Sequence, residues 1–262
     1  MTTVRTRREP PLFRRVDVAR VVPRTARLLR ITLTGAELAG LDSGLPAASV
    51  RLLVPPDDGG QLVLPVWNGN EFLAADGSRP PIRTLTPVRF DPQALELDVE
   101  VVLHGDGPLS SWAGRVEPGA RTAISGPGRG YTVDPEAREY LVAGDESALP
   151  AIGVLLAALP TEAAVQVIVE ISDPSARLDL PPRRGMVEQW LLRPAGAPPG
   201  DALVAAVAAA EVGSDVRVWA AGEAAAMWRI RRDLFEERGL ARSRAVVRGY
   251  WKVGRGGDAD DT

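Results

Sequence analysis

The first half of the chain alternates apolar and polar residues in short runs that are separated by proline and glycine. Such runs occupy residues 14–22, 26–35, 49–56, 94–104 and 121–126. The alternation is clearest at Leu95, Leu97, Val99 and Val101, which fall on one face of an extended chain. Several short strands with turn residues between them predict an antiparallel β-barrel over residues 12–134.

The second half changes to short apolar runs that alternate with helical patterns. The apolar runs are residues 140–145, 164–172, 187–192, 216–223 and 245–251, and helical spacing appears in residues 147–160, 201–212 and 224–239. In the last helix, Met227, Ile230 and Leu234 form an apolar stripe, and Gly239 is expected to end the helix. The alternation predicts an α/β domain with a parallel sheet over residues 138–255, followed by a disordered tail at 256–262.

The composition excludes several kinds of reaction and binding site. The length of 262 residues suits two domains of modest size. The absence of cysteine excludes disulfides, thiol catalysis and cysteine-ligated metals, and the single histidine excludes a multi-histidine site. A carboxylate metal site stays open from composition, but no metal ligand is predicted. A net charge of −3 gives no basic field for nucleic acid. We expect a cytoplasmic protein, since neither a secretory signal nor a long apolar segment is present.

Two predicted strands of the second half end in glycine followed by an acid, at Gly144–Asp145 and Gly222–Glu223. Ligands of parallel sheets bind at the carboxyl ends of strands, where helix N-termini favour anions. Neither turn has the full G-x-G-x-x-G pattern of dinucleotide-binding proteins. The glycines are therefore consistent either with dinucleotide binding or with close packing of a helix on its strand.

Seven segments lie in the order found in a known family. They are WNGNEF (67–72), PPIRTLTPVRFD (80–91), HGDGPLSSWA (104–113), GPGRGY (126–131), LVAGDESALPAI (141–152), AAGEAAAMWRIRRDLFEERG (220–239) and RGYWKVGR (248–255). Together they resemble the siderophore-interacting proteins, or ferric-siderophore reductases, of the ferredoxin–NADP reductase superfamily. The resemblance covers about residues 12–255 and implies an FAD-binding barrel followed by an NAD(P)H-binding domain.

The activity that this resemblance implies is electron transfer from NADPH or NADH through FAD to a ferric siderophore, with release of Fe(II). Siderophores present hard oxygen ligands that favour Fe(III), so reduction weakens the complex. A flavin is needed because a hydride donor delivers two electrons whereas iron accepts one. No protein acid or base is required, and no catalytic side chain is predicted.

The resemblance also assigns residues to the flavin. In RTLTPVRFD it places Arg83 at the pyrophosphate or ribityl chain, Leu85 at the ring system, Thr86 at a hydrogen bond to the flavin and Arg89 at a second anion contact. In the second segment it implicates His104, Gly107, Pro108, Ser110 and Ser111 at a tight turn and helix start. For Arg83 the alternative is a solvated arginine at a strand end, and for His104 it is a structural histidine.

The second half supplies the remaining candidates. Those for the nicotinamide nucleotide are Gly144, Asp145, Glu146, Ser147 and Ala148 at the first turn, and Gly222 and Glu223 at the second. Trp251 is placed near the flavin face, and Arg248, Lys252 and Arg255 are candidates for binding an anionic ferric chelate. Arg177, Arg183 and Arg184 either read a 2′-phosphate or are solvated loop residues.

The sequence departs from the family pattern at three positions. Leu85 stands where an aromatic residue is usual, Val88 replaces the first of two arginines, and Val253 replaces a polar residue. Loss of the aromatic contact removes roughly 0.5–1.5 kcal/mol of stacking. Two other functions therefore stay open: a scaffold turned to natural-product biosynthesis with structural or no flavin, and a siderophore carrier without catalysis.

Overall fold

The computed structural model describes residues 10–56, 61–105 and 107–258. The chain divides into two compact units. The first includes the residues up to Val22 and Leu29–Gly130, and the second includes Pro23–Leu28 and the residues from Tyr131 onwards. The chain passes from the first unit to the second between Gly130 and Tyr131, whereas the sequence places this boundary a few residues later, at 134–138.

The first unit contains a seven-stranded sheet in the order β6-β3-β9-β1-β2-β8-β7. Its strands are β1 (Arg14–Thr25), β2 (Leu28–Thr34), β3 (Val50–Leu53), β6 (Ile82–Leu85), β7 (Pro87–Asp91), β8 (Glu96–Val102) and β9 (Arg121–Ser125). A separate hairpin pairs β4 (Val66–Trp67) with β5 (Phe72–Leu73), and one short helix, α1, spans Pro108–Ala113.

Chain connectivity requires the large sheet to curl. Strands β6 and β7 lie at opposite edges of the strand order, yet Thr86 alone separates them in the chain. A flat sheet would place these strands several strand spacings of about 4.8 Å apart. The two edges must therefore approach each other at Thr86, which gives an antiparallel half-barrel and confirms the barrel-type domain that the sequence predicts.

The core of this unit lies on the concave side of the sheet. Leu97, Val99 and Val101 are fully buried there, as their alternation predicts, and Trp112 of α1 packs into the same cluster. The β4–β5 hairpin belongs to a second, smaller cluster in which Phe72 contacts Phe13 edge-to-face at 5.0 Å. This hairpin covers the opposite face of the sheet. Leu53 belongs to the same cluster as the hairpin, and in a strand it must point away from the face of its neighbour Leu52, which lies in the main core.

The second unit contains a six-stranded sheet in the order β12-β11-β10-β13-β14-β15. Its strands are β10 (Glu139–Asp145), β11 (Ala164–Ile171), β12 (Met186–Leu192), β13 (Arg217–Glu223), β14 (Ala245–Lys252) and β15 (Arg255–Asp258). The first five are parallel and β15 pairs antiparallel with β14. The helices are α2 (Leu149–Ala158), α3 (Asp201–Ala209) and α4 (Ala224–Arg232), which continues into a π-helical turn at Asp233–Glu237.

Helices α3 and α4 pack on one face of this sheet. The predicted stripe of Met227, Ile230 and Leu234 is buried in the cluster that includes Val218 and Ala220 of β13. The predicted α/β architecture is therefore confirmed. The expected tail needs correction, since residues 256–258 belong to strand β15, and residues 259–262 lie outside the described part of the chain.

Candidate functional site

The carboxyl ends of the parallel strands bring together most of the predicted nucleotide residues. Asp145 ends β10, Glu223 ends β13, and Trp251 lies opposite Glu223 in the register of β14. Asp145 and Glu223 are both buried, at 7% and 4% exposure. This edge is where open parallel sheets bind ligands, so what these carboxylates contact decides their role.

Asp145 accepts four hydrogen bonds from the protein itself. Its Oδ1 accepts from the amide and hydroxyl of Ser147 at 2.9 and 2.5 Å, and its Oδ2 accepts from the Glu223 amide and Trp251 Nε1, both at 2.8 Å. Burial raises the pKa of Asp145, while the four donors oppose that rise by favouring the charged form. The carboxylate is therefore a hub that joins three chain segments.

The two acids next to this hub are also committed to backbone groups. Glu223 accepts from the amides of Ala225 and Ala226 at the start of α4, at 2.6 and 3.0 Å. Glu146 accepts from the amide and hydroxyl of Ser172, which follows β11. The N–H groups of Ser147, Ala225 and Ala226 are thus bonded to the chain's own carboxylates rather than offered to a cofactor phosphate.

Both glycines of these turns are required by packing. A Cβ on Gly144 would lie 2.5 Å from Ala148 Cβ and 2.7 Å from the Ala221 carbonyl oxygen. A Cβ on Gly222 would lie 2.6 Å from Asp145 Oδ2. Of the two interpretations of the Gly-Asp and Gly-Glu turns, the geometry favours close packing over a phosphate cradle.

The segment RTLTPVR forms the place where the edges of the half-barrel meet. Arg83 pairs with Leu52 and Leu85 with Val50 across β3, so Arg83 and Leu85 share the concave face. Leu85 is buried in the core cluster. Arg83 is half-buried, and its guanidinium donates from Nη1 to the Ile82 carbonyl at 2.8 Å.

Thr86 and Arg89 differ in what they offer a ligand. Thr86 is buried, and its hydroxyl makes no hydrogen bond to any residue that the structure describes. Arg89 instead binds Asp98 at 3.0 Å, Glu96 at 3.2 Å and Asp91 at 3.4 Å. Because these carboxylates neutralise its charge, Arg89 is not part of the site that we propose below.

The second flavin segment forms the turn before α1. Gly107 is the N-cap residue and Pro108 the first helical residue, and no side chain caps this helix start. Ser110 is buried and uses its hydroxyl to bridge the amide and carbonyl of His104, at 3.1 and 2.9 Å. Ser110 therefore stabilises the turn, whereas the His104 side chain is exposed and Ser111 is half-buried.

Of the basic candidates in the second unit, Lys252 and Arg255 lie opposite each other, and the others lie elsewhere. Lys252 is exposed at the end of β14, Arg248 is half-buried on the same strand, and Arg255 begins β15 opposite Lys252. Arg183 is committed to the carbonyls of Leu156, Leu159 and Pro160 at the end of α2. It is therefore a helix cap rather than a 2′-phosphate contact.

Two residues of the second unit, Ser172 and Trp190, make notable contacts that the sequence did not predict. Ser172 ties the end of β11 to Glu146. Trp190 of β12 lies under the guanidinium of Arg177, at 5.3 Å from the ring centroid. The signal for Ser172 was its position directly after a buried strand, where side chains reach the carboxyl edge.

Comparison with known proteins places this geometry in a family. Residues 17–131 match the siderophore-interacting FAD-binding domain, and residues 137–254 match the siderophore-interacting protein family. The chain belongs to the siderophore-interacting proteins. The predicted resemblance is confirmed, and the siderophore-interacting protein is accordingly an FAD-dependent oxidoreductase.

Relatives of this siderophore-interacting protein match over nearly its whole length. The ferric vibriobactin reductase ViuB of Vibrio cholerae is 30% identical, with 93% of this chain and 94% of that protein covered. The NADPH-dependent ferric-chelate reductase of Escherichia coli is 30% identical, with 91% and 92% covered. A siderophore utilization protein from T. fusca superimposes with a TM-score of 0.84 at 37% identity, covering 96% and 97% of the two chains.

The residues at the meeting edges of the half-barrel fit FAD. Thr86 supplies a hydroxyl without a partner among the described residues, Arg83 supplies a guanidinium on the concave face, and the start of α1 lacks a side-chain cap. These groups suit a hydrogen-bonding ring and a diphosphate. Within the described part of the chain, no cluster of three or more histidine or carboxylate side chains is arranged to hold a metal ion.

None of the helices among the described residues has the length and apolar character needed for a membrane crossing.

Proposed function

We propose that this protein is an NAD(P)H-dependent ferric-siderophore reductase that uses FAD and releases Fe(II) in the cytoplasm. The observation that carries the proposal is the meeting of Arg83 and Thr86 at the closing edges of a half-barrel that matches the family's FAD-binding domain. Relatives named for ferric vibriobactin and ferric-chelate reduction, matched over more than nine-tenths of their length, support the substrate class.

Each proposed contact has a distinct task. Arg83 binds the diphosphate of FAD, and Thr86 donates or accepts a hydrogen bond at the flavin. The turn at Gly107–Ser111, fixed internally by Ser110, presents backbone N–H groups to the same diphosphate. When bound, the flavin converts two-electron donors into single-electron transfer to iron.

The nucleotide contacts differ from those that the sequence predicts. Since Asp145, Glu146 and Glu223 bond to the protein, we assign them and the two turn glycines to the scaffold of the edge. The dinucleotide then depends on side chains of the edge, among which exposed Arg177 stays a candidate. The E. coli relative is named as NADPH-dependent, and we propose NADPH or NADH as the donor here.

The test is an anaerobic assay of FAD-loaded protein with NADPH or NADH and a ferric chelate, in which a chromogenic ligand traps Fe(II). We expect Fe(II) to appear with oxidation of the nicotinamide. Arg83→Gln should weaken FAD binding about ten- to a hundredfold, the equivalent of one charge-assisted hydrogen bond of about 1.5–3 kcal/mol. Arg89→Gln is the matched control and should leave FAD binding unchanged, since its charge is used within the sheet.

Other outcomes identify the two rival functions. Chelate binding without nicotinamide oxidation would indicate a carrier. An apolar organic ligand that stabilises the protein while FAD has no effect would indicate a scaffold used for another reaction. Equal loss of FAD binding in Arg83→Gln and Arg89→Gln would contradict the assignment of Arg83.

A further inference from the structure

Lys252 is the last residue of β14 and directly precedes a short hairpin turn at the carboxyl edge of the parallel sheet. It pairs with Arg255 across β14 and β15, and the turn between them consists of Val253 and Gly254. Gly254 has φ +75°, the left-handed conformation that such two-residue turns use. Lys252 and Val253 are exposed, so the lysine side chain extends into solvent from the strand end beside the turn.

The residues on both sides of Lys252 are bound to buried carboxylates. Trp251 donates from Nε1 to Asp145 Oδ2 at 2.8 Å, and the Val253 amide donates to Glu223 Oε1 at 3.4 Å. The first bond has ordinary length, whereas the second is longer than the usual range of roughly 2.7–3.2 Å and is the weaker tether. Lys252 thus lies between two tethered neighbours.

Asp145 and Glu223, the carboxylates that hold the neighbours of Lys252, are themselves fixed by other contacts. Asp145 accepts three further bonds from Ser147 and Glu223, and Glu223 accepts two from the start of α4. A Cβ on residue 222 would lie 2.6 Å from Asp145 Oδ2, so the carboxylate occupies space that only a glycine leaves open. A group held by several bonds and close packing loses little additional freedom when it orients another segment.

We propose that Asp145 and Glu223 are positioning residues that fix the β14–β15 turn and thereby place the Lys252 ammonium to receive an anionic ferric chelate. This inference rests on the function proposed above. The carboxylates act through Trp251 and Val253 and do not themselves contact the chelate. A fixed backbone lowers the entropy that Lys252 loses on binding, because only its side-chain rotamers remain to be ordered.

The tether can be observed without any substrate. The protein has six tryptophans, so an indole ¹H–¹⁵N spectrum of the FAD-loaded protein should contain one N–H signal for each. Trp251→Phe assigns the Trp251 signal. Asp145→Asn places an amide in the carboxylate site, and we expect it to shift the Trp251 signal and to accelerate its hydrogen exchange.

A matched control exists in the same sheet. Trp190 Nε1 donates to Glu188 at 2.9 Å on the edge strand β12, so Glu188→Gln changes an indole–carboxylate bond far along the strand order from Lys252. Glu188→Gln should shift the Trp190 signal and leave the Trp251 signal unchanged.

Chelate binding is then measured calorimetrically on oxidised, FAD-loaded protein without nicotinamide. Three doubly charged catecholates leave a ferric complex strongly negative, whereas three singly charged hydroxamates leave it neutral. Lys252→Ala, Asp145→Asn and Trp251→Phe should each weaken catecholate binding about two- to fivefold, the range for one exposed charge contact, and should leave hydroxamate binding unchanged. High salt should remove the difference.

The double variant Asp145→Asn/Lys252→Ala should bind the catecholate no more weakly than Lys252→Ala alone, because both changes remove the same contact. If Asp145→Asn fails to fold, Trp251→Phe combined with Lys252→Ala gives the same test. Equal weakening for both chelates, full additivity or an unmoved Trp251 signal would overturn the positioning role. Failure of the unaltered protein to bind either chelate would instead overturn the proposed function, and with it the role of Lys252.

Discussion

Replacing Gly222 by alanine should lower the free energy of unfolding by about 3 kcal/mol through the carboxylate of Asp145. The added Cβ would lie 2.6 Å from Asp145 Oδ2 and 2.9 Å from its Cγ. Ordinary contact begins at 3.4 Å, so the oxygen must move by about 0.8 Å. Asp145 cannot turn away freely, because its other oxygen is bonded to Ser147.

The magnitude follows from the bonds on the displaced oxygen. Oδ2 accepts from the Glu223 amide and from Trp251 Nε1, each at 2.8 Å. A displacement of about 0.8 Å lengthens each distance to at most about 3.6 Å, which weakens both bonds and can break them. Two charge-assisted bonds are worth about 3–6 kcal/mol together, and partial relaxation of the turn brings the expected loss to the lower end.

Urea unfolding followed by tryptophan fluorescence measures this loss, with Gly153→Ala as the control. Gly153 lies within helix α2, and a Cβ there would have no neighbour within 4 Å. Gly153→Ala should raise stability by about 0.5–1 kcal/mol, since alanine favours the helix.

A double-variant cycle identifies the clashing group. In an Asp145→Ala background the carboxylate is absent, and Gly222→Ala should then cost only the strain of a side chain at φ +158°, on the order of 1 kcal/mol. The reasoning would be refuted if Gly222→Ala were as stable as the unaltered protein, or if its cost were the same with and without Asp145.

Three further predictions concern other parts of the chain. Arg183→Ala should destabilise the second unit by about 2 kcal/mol by uncapping α2, with an unchanged KM for NAD(P)H; a raised KM without loss of stability in urea would contradict this assignment. Leu85→Tyr should cost about 1–3 kcal/mol by overpacking the core, and a variant that is both as stable and tighter for FAD would show that position 85 reaches the ring. Burial raises the pKa of Tyr131 to about 12, so the unfolded chain ionises first and stability falls as pH rises above about 10. Between about pH 9 and 11, urea unfolding should show a loss about 1 kcal/mol smaller in Tyr131→Phe, and equal losses would refute this origin.

The fold was predictable because its main signals are local. The alternation of Leu97, Val99 and Val101 and the apolar stripe of α4 follow from residue spacing alone. Burial of Asp98 and Glu100 between those core residues was not predictable, because it depends on Arg89 and Arg30, which reach them from neighbouring strands. Strand register and side-chain direction determine such pairs, and neither is encoded in one segment.

The candidate site was predictable in position and less so in chemistry. Gly144–Asp145 and Gly222–Glu223 do lie at the carboxyl edge of the sheet, where connectivity places them. Whether an acid there faces a ligand or turns back to its own helix depends on side-chain torsions. The same sequence is compatible with both arrangements. Asp145 and Glu223 turn back, which the strand-end pattern alone does not distinguish.

The junction at Thr86 limits how this part of the chain can change in evolution. Thr86 alone links β6 and β7, the two edge strands of the sheet. Inserting or deleting one residue there would therefore exchange the inward-facing and outward-facing positions of β7. Arg89 and Phe90 would exchange faces, which would bring a charge towards the apolar interior. Length variation should therefore be tolerated in the loops of this domain and selected against at this junction, so that related chains keep its spacing even where its residues differ.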